Sequence, residues 1–244
     1  MKIREVISES ILLETSADEY ALHDMAEQIA TVLYEDHDEI IEQLNDNGGT
    51  VNLGSIRGLI DAQLTDQALA YLSRCEFRIT PVEEKGAKGR YTHNAKMITG
   101  TNYPGLGRVE LNTAFWLKNW EYIDTIASTI AHELRHGLDW VKSGGGAMYS
   151  THTGASSKYR GKQPGHTQDE YVSSPLEINA RFTQAIKDIA TELEAAPAHD
   201  VNQTIKKHFK ARHIEKLFPD GFNDLSYRRL FNRALDYVQH VRQS

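Results

Sequence analysis

The amino-acid sequence predicts an α+β fold that is mostly helical and contains a small antiparallel sheet. Three observations support this fold class. Apolar residues recur with the helical period in the N-terminal segment, over residues 120–142 and from Pro175 to the end. Residues 75–80 instead alternate apolar and polar side chains, as a half-buried strand does. The chain has 244 residues, 40% of them hydrophobic, which is enough to bury one large core or two small ones.

The first predicted helix begins near Ser16 and ends at residues 47–49, Asn-Gly-Gly. Ser16 and Glu19 have the spacing of a capping box, and the apolar residues after them keep mostly helical spacing: Leu22, Met25, Ala26, Ile29, Leu33, Ile40 and Leu44. Glycines directly after a periodic segment are typical of a helix end. One or two short helices are expected over residues 55–73.

The strands are expected in the middle of the chain. After the alternating segment, further short strands are predicted at residues 90–92, 96–101 and 107–112, separated by Gly-rich turns such as GAKGR, residues 86–90. A helix follows over residues 120–142. Residues 143–174, rich in Ser, Gly, Thr, Tyr and His, are predicted to form a long loop, and a loop of this length inside a compact domain is usually functional.

This order of elements suggests three regions. They are an N-terminal helical region (1–74), a central core (75–195) and a C-terminal helical region (196–244), or one compact domain that contains all three. No internal repeat divides the chain further.

Charge is distributed very unevenly. The net charge of −7 disfavours a dedicated nucleic-acid-binding protein. Residues 1–46 hold 2 basic and 13 acidic side chains, whereas residues 201–244 hold 9 basic and 4 acidic ones. Some of the C-terminal basic residues are therefore expected to face the acidic N-terminal helix and to hold the two ends of the chain together.

Cysteine usage and hydropathy restrict the class of protein further. The single cysteine, Cys75, excludes an intrachain disulfide and a multi-thiolate zinc site, and is expected to fill the core. Neither a signal peptide nor a transmembrane segment is recognisable, which predicts a soluble intracellular protein without a membrane partner.

One motif stands out on the helix predicted over residues 120–142. His132 and His136 lie one turn apart, on the face opposite the apolar stripe. Two imidazoles at this spacing can bind one metal ion, as in the helix-borne HExxH motif. Glu133 then lies near the ion, where it can take a proton from metal-bound water and pass it to the leaving amine. The simpler alternative is a pair of solvated or partly packed histidines on a surface helix.

A metal site of this kind needs a third protein ligand. The longer HExxHxxGxxH pattern fails, because its Gly position is Asp139 and its third His position is Lys142. Glu177, at the start of the next predicted helix, is the best remaining candidate. Glu177 also fits a cap that needs no metal, with Ser174 as N-cap and Pro175 at the first helical position. Other ligand candidates are residues of the long loop: His152, His166, Asp169 and Glu170.

The segments GRVELN, HELRHGLD and YVSSPLEINARF, within about residues 107–185, carry a family resemblance. They resemble the gluzincin-like zinc metallopeptidases, in which a Glu on a second helix completes an HExxH site. They are also similar to uncharacterised HExxH proteins encoded by tailed phages.

The resemblance implies a zincin-like fold with residues 75–195 as a metal-binding catalytic core. It implies one Zn²⁺ held by His132, His136 and Glu177, with Glu133 as general base and acid and a peptide or protein as substrate. It also implies that the strand at residues 107–112 is an edge along which an extended peptide can lie. A phage-encoded protein would be found in the host cytoplasm or the virion.

Several supporting roles stay open at this point. Asp139 can accept the free ring N–H of a ligating histidine, or it can pair with Arg135 at i−4. A donor to the developing oxyanion can come from the loop or from the helix after it, and the candidates are Tyr159, His166, Tyr171 and Arg181.

Two other classes of function compete with a peptidase. The first is a non-catalytic structural or interaction protein that keeps a structural or relic zinc site. A phage is one source considered for such a protein. The second is a nucleic-acid-associated factor that uses the basic run KKHFKARH, residues 206–213, although solvated helix faces explain that run more simply.

Overall fold

The structure is a computed structural model that describes residues 16–61, 64, 66–82, 87–94, 105–142, 175–197 and 199–242. Its helices and strands follow in the order α1 (Ser16–Glu35), α2 (His37–Asp46), β1 (Val51–Ser55), α3 (Gln67–Leu72), β2 (Glu76–Thr80), β3 (Gly89–Asn94), β4 (Gly105–Asn112), α4 (Thr113–Asn119), α5 (Ile123–Lys142), α6 (Pro175–Ala195), α7 (Val201–Ala211) and α8 (Leu225–Val241). Short 3₁₀ turns lie at Ile56–Gly58, Glu215–Leu217 and Gly221–Asn223. A mostly helical α+β architecture is therefore confirmed.

Backbone contacts divide the chain into two compact units. One consists of Met1–Tyr20 and Lys158–Ser244, and the other of Ala21–Ser157. These units differ from the three regions expected from the sequence, whose boundaries stay a prediction. Among the described helices, none is long and apolar enough to cross a membrane.

The unit Ala21–Ser157 contains a four-stranded sheet in the order β1-β2-β4-β3. β1 is antiparallel to β2 and β3 is antiparallel to β4, but β2 and β4 are parallel. The prediction of a purely antiparallel sheet is therefore wrong. Parallel neighbours need a long connection between them. Residues 81–104 provide it, because they include β3 and return the chain to the starting end of β2.

The alternation seen in the sequence sets the two faces of this sheet. Apolar side chains of β2 and β4 are buried on one face: Phe77, Ile79, Val109 and Leu111. On the other face, Arg108 Nε donates to Glu76 at 3.1 Å and Arg90 Nε donates to Glu110 at 2.8 Å. Cross-strand pairs of opposite charge support the register that the buried face requires. α5 packs against β3, β4 and α3.

The single long N-terminal helix predicted from the sequence is wrong in one respect. It is interrupted at Asp36, whose φ of −92° and ψ of 16° leave the helical region, so that α1 and α2 are separate helices. Its predicted end is confirmed, since Gly48 and Gly49 follow α2 with φ of 63° and 82°. Glycine adopts such positive φ values without strain.

The unit formed by Met1–Tyr20 and Lys158–Ser244 is built from α6, α7, α8 and the first residues of α1. The apolar faces of these helices form one core that includes Ile178, Phe182, Ile186, Phe209, Leu230 and Phe231. Asp200 and Asp224 cap α7 and α8 by accepting hydrogen bonds from backbone N–H groups in the first turn.

A buried charge pair joins the two ends of the chain within this unit. Glu19, 2% exposed, accepts a hydrogen bond of 3.0 Å from Arg233 and one of 2.7 Å from the Thr183 hydroxyl. The Arg233 guanidinium also lies 4.7 Å from the ring centroid of Phe182. The expectation that a C-terminal basic residue faces the acidic N-terminal helix is therefore confirmed at this pair.

Replacing Arg233 with Met tests this pair. The substitution leaves the Glu19 carboxylate buried with one charged partner fewer, so we expect a loss of about 2–3 kcal/mol in the free energy of unfolding. Urea unfolding measures this loss. Arg228→Met, an exposed position on the same helix, serves as the control and should change stability by less than about 0.5 kcal/mol. Equal effects of the two substitutions would contradict the proposed importance of the buried pair.

Candidate metal centre

α5 is buried on almost every side. From Ile126 to Trp140 every residue is buried except His132 and His136, which are half-buried. The helix is therefore a core helix and not a surface helix. The alternative that the two histidines are partly packed side chains that bind no metal stays open. His132 and His136 are therefore the solvent-accessible residues of this stretch.

The two histidine side chains converge through their Nε2 atoms. These atoms lie 3.2 Å apart, whereas the ring centroids are 4.8 Å apart and the ring planes are nearly perpendicular, at 88°. Because the Nε2 atoms are much closer together than the centroids, both rings direct the same nitrogen toward a common region. The i, i+4 spacing on one helix produces this arrangement.

Glu133 is buried beside the strand β3. A Cβ atom added to Gly89 would lie 3.0 Å from Glu133 Cγ and 3.2 Å from Glu133 Oε1. The Glu133 carboxylate therefore packs against the backbone of β3, at a position where a larger residue would displace it. Gly89 belongs to the segment GAKGR, which was expected to be a turn, and that expectation is wrong at this residue because it starts β3.

Asp139 pairs with Arg135. The Arg135 Nε donates to Asp139 Oδ1 at 2.9 Å, and both side chains are at least 96% buried. This was the second of the two roles considered for Asp139, and it is confirmed. A hydrogen bond from a histidine ring to Asp139 stays a prediction. An ion pair at this depth holds its two side chains in fixed positions, since separating them would leave a buried charge.

Glu177 lies in the first turn of α6 and is buried. Its Oε1 accepts a hydrogen bond of 2.9 Å from Arg181, one turn further along the helix. Glu177 belongs to the unit Met1–Tyr20 and Lys158–Ser244, whereas His132 and His136 belong to the unit Ala21–Ser157, so its role as the third metal ligand stays a prediction. Arg181 donates to the Glu177 carboxylate and also to the Arg212 carbonyl, at 3.3 Å, and its role as an oxyanion donor stays a prediction.

The remaining predicted site residues lie outside the described residues. They are the alternative ligands and oxyanion candidates of the long loop: His152, Tyr159, His166, Asp169, Glu170 and Tyr171. The same holds for Ser174, so the capping alternative for Glu177 stays a prediction. Cys75 is fully buried, and burial raises its pKa to about 11, which keeps the thiol neutral and confirms that it fills the core.

The strand expected to be an edge is an interior strand. β4, residues 105–112, is hydrogen-bonded to β2 on one side and to β3 on the other, so a peptide cannot pair with it. Among the described strands, β3 is an edge strand of the sheet, and it packs against α5.

Two residues that position α5 were missed in the sequence. A Cβ atom on Gly137, directly after His136, would lie 2.6 Å from Leu72 Cδ1 and 2.9 Å from Tyr91 Cε2. Tyr91 of β3 therefore packs directly onto the helix backbone beside the histidine pair. The available signal was Gly137 itself, because an isolated glycine inside a helical pattern often marks a close packing contact.

Comparisons with known proteins give no relative for this chain. No protein-family model, no curated protein and no solved structure matches it. The resemblance to zinc metallopeptidases and to phage-encoded proteins stays a prediction.

Replacing Gly137 with Ala tests the close packing beside His136. Alanine favours a helix by about 1 kcal/mol over glycine, but its Cβ would overlap Leu72 and Tyr91. We expect the overlap to dominate, with a net loss of about 1–3 kcal/mol in urea unfolding. Gly58→Ala is the control, because no atom lies within 4 Å of its added Cβ. A Gly137→Ala protein as stable as wild type would show that the packing around α5 is looser than these distances imply.

Proposed function

We propose that this protein is a zinc-dependent metallopeptidase. The observation that carries the proposal is the histidine pair on α5, with two Nε2 atoms 3.2 Å apart at the accessible part of a buried helix. Buried glutamate Glu133 lies next to this pair in the sequence and packs against β3.

The separation of the two nitrogens fits zinc. Zinc–imidazole bonds are about 2.0–2.1 Å long, and two such bonds at a tetrahedral angle place the nitrogens about 3.3–3.4 Å apart. The Nε2–Nε2 distance of 3.2 Å in the structure is close to this value. Little movement of either side chain is needed to bind the ion.

Glu177 is the proposed third ligand. The ligand set of His132, His136 and Glu177 is the one that the resemblance to zinc metallopeptidases implies. Three protein ligands with one open position are typical of catalytic zinc, whereas structural zinc usually has four. The hydrogen bond from Arg181 holds the Glu177 carboxylate in one orientation and supports its use as a ligand.

The proposed roles of the chain's own groups follow from these positions. Zinc, when bound, supplies a Lewis acid that polarises a peptide carbonyl and makes a water molecule more acidic. Glu133 accepts a proton from the attacking water and delivers it to the leaving amine. Gly89 keeps β3 close to Glu133, and the Arg135–Asp139 pair fixes the helix that presents all three residues of the motif.

Glu177→Gln tests the ligand set. The amide keeps the size of the side chain and can still accept from Arg181, but it is a poor zinc ligand. We expect wild type to retain one zinc per chain after dialysis and the variant to bind zinc at least about 100-fold more weakly, with unchanged helicity. Metal analysis and competition with a chromogenic chelator measure this, and Glu194→Gln on the same helix is the control. Unchanged zinc affinity would assign the third ligand to another residue.

Glu133→Gln tests catalysis separately from metal binding. We expect zinc content close to wild type and cleavage of a denatured protein mixture, read by mass spectrometry, reduced about 10²–10⁴-fold. The inactive control is His132→Ala, which should lose both zinc and cleavage. If Glu133→Gln leaves any cleavage unchanged while His132→Ala unfolds the chain, the metal is structural and the proposed enzyme activity is wrong.

A further inference from the structure

Two surfaces that contain none of the candidate metal ligands combine exposed apolar side chains with charge. Among the described residues, five large apolar side chains are exposed. One of them, Tyr34, stacks on the ring of Trp120, and two more, Leu117 and Tyr122, lie within three residues of Trp120 in the sequence. The other two are Phe222, in the 3₁₀ turn before α8, and Leu225, the first residue of α8. Exposed apolar side chains that cluster in this way mark interaction surfaces.

We define the acidic patch as Tyr34, Leu117, Trp120 and Tyr122 with the carboxylates of Glu35, Asp38 and Glu121. The Trp120 ring stacks on Tyr34 with centroids 5.8 Å apart and on His37 with centroids 3.7 Å apart. Asp38 is bonded to the His37 ring at 3.0 Å, and Glu35 and Glu121 directly follow Tyr34 and Trp120. The aromatic rings therefore lie among carboxylates.

The charge around the acidic patch is strongly one-sided. Residues 21–46 contain eight Asp and Glu and no Lys or Arg, and all eight carboxylate residues are exposed. Two exposed cations lie at α4, namely Lys118 next to Leu117 in the sequence and Lys88 at 5.5 Å from the centroid of the Phe115 ring. A partner that covers the rings must therefore bring positive charge with it.

We define the basic patch as Phe222 and Leu225 with Lys206, Lys210 and Arg228. The Lys206 ammonium lies 5.4 Å from the centroid of the Phe222 ring. Lys210 is one turn after Lys206 on α7, and Arg228 is one turn after Leu225 on α8, so each lies on the same helix face as its neighbour. Residues 206–229 contain seven Lys and Arg against three Asp and Glu.

We propose that the acidic patch of one molecule binds the basic patch of a second copy of this chain. Each patch offers apolar side chains for a dehydrated centre and an excess of one charge around it, negative in the acidic patch and positive in the basic patch. The five exposed large apolar side chains of the described residues would all be covered by this one contact. A separate partner would have to match each patch independently.

The contact joins two different surfaces, so it is heterologous. After pairing, one molecule still has a free basic patch and the other a free acidic patch, so association continues into a ring or an open chain. Because the complementarity is largely electrostatic, association should weaken as salt increases.

Sedimentation velocity on the full chain, over a range of protein concentrations, tests the proposal. Wild type should associate at low ionic strength and dissociate as salt rises from about 0.05 M to about 0.5 M. Two variants remove one patch each. The acidic-patch variant is Glu35→Lys, Asp38→Lys and Glu121→Lys, and the basic-patch variant is Lys206→Gln, Lys210→Gln and Arg228→Gln, whose neutral side chains do not attract the new lysines. Each alone should associate at least about tenfold more weakly than wild type.

Mixing the two variants makes the test specific. The acidic-patch variant still has its basic patch and the basic-patch variant still has its acidic patch, so the mixture should form a one-to-one dimer that cannot extend. The control carries three carboxylate-to-Lys changes at exposed positions outside both patches, Asp61, Glu194 and Asp236, and should associate at least as tightly as wild type. Circular dichroism confirms that each variant is folded.

Three results would overturn the proposal. Wild type could remain monomeric at every concentration and salt, association could persist in both variants, or the mixture of the two variants could fail to form the dimer. Zinc binding and peptide cleavage are measured on the same variants. The proposed self-association and the proposed enzyme activity can therefore fail independently.

Discussion

The packing of α5 is the constraint on which the rest of this structure depends. This helix must bury nearly its whole circumference and still leave two histidine side chains accessible one turn apart. Both requirements are met because apolar residues face the sheet and the other helices, while the histidine positions fall where the packing is open. The spacing of 3.2 Å between the Nε2 atoms then follows from helix geometry, without any contribution from a loop. A site built on a rigid core helix is more precisely positioned than one built on loops.

The polar residues of α5 show how such a helix tolerates burial. Arg135 and Asp139 are enclosed almost completely, and they satisfy each other through an i, i+4 hydrogen bond. Glu133 is buried where the glycine at position 89 brings the backbone of β3 close. Gly137 likewise lets Tyr91 of β3 and Leu72 of α3 approach the backbone of α5. The absence of a Cβ at two positions therefore sets the distance between the helix and its neighbours, and this distance positions both Glu133 and His136.

The sequence was most informative where one periodicity explained several residues. The 3.6-residue period located α5 and placed His132 and His136 on one face, and the twofold alternation of residues 75–80 located β2. The parallel pairing of β2 with β4 could not be predicted, because alternation specifies which side chains are buried and says nothing about which strand lies alongside. The break at Asp36 was equally inaccessible, since the residues on either side of it keep helical spacing. The hydrogen bond from Arg181 to Glu177 was not predicted, because a residue one turn after a glutamate fits an ion pair and a substrate contact equally well.

The acidic residues of the N-terminal segment differ in burial, and the physical role of each depends on whether it is buried or exposed. Glu19 is enclosed, and its charge is compensated inside the unit by Arg233 and Thr183. The eight carboxylates of residues 21–46 are all exposed, so water and salt already stabilise them and folding does not require partners for them. Their concentration on one surface beside exposed aromatic rings is therefore not explained by the stability of the fold. Folding does not need these charges, and folding does not bury the apolar side chains beside them. A surface that combines both features is expected to bind another molecule.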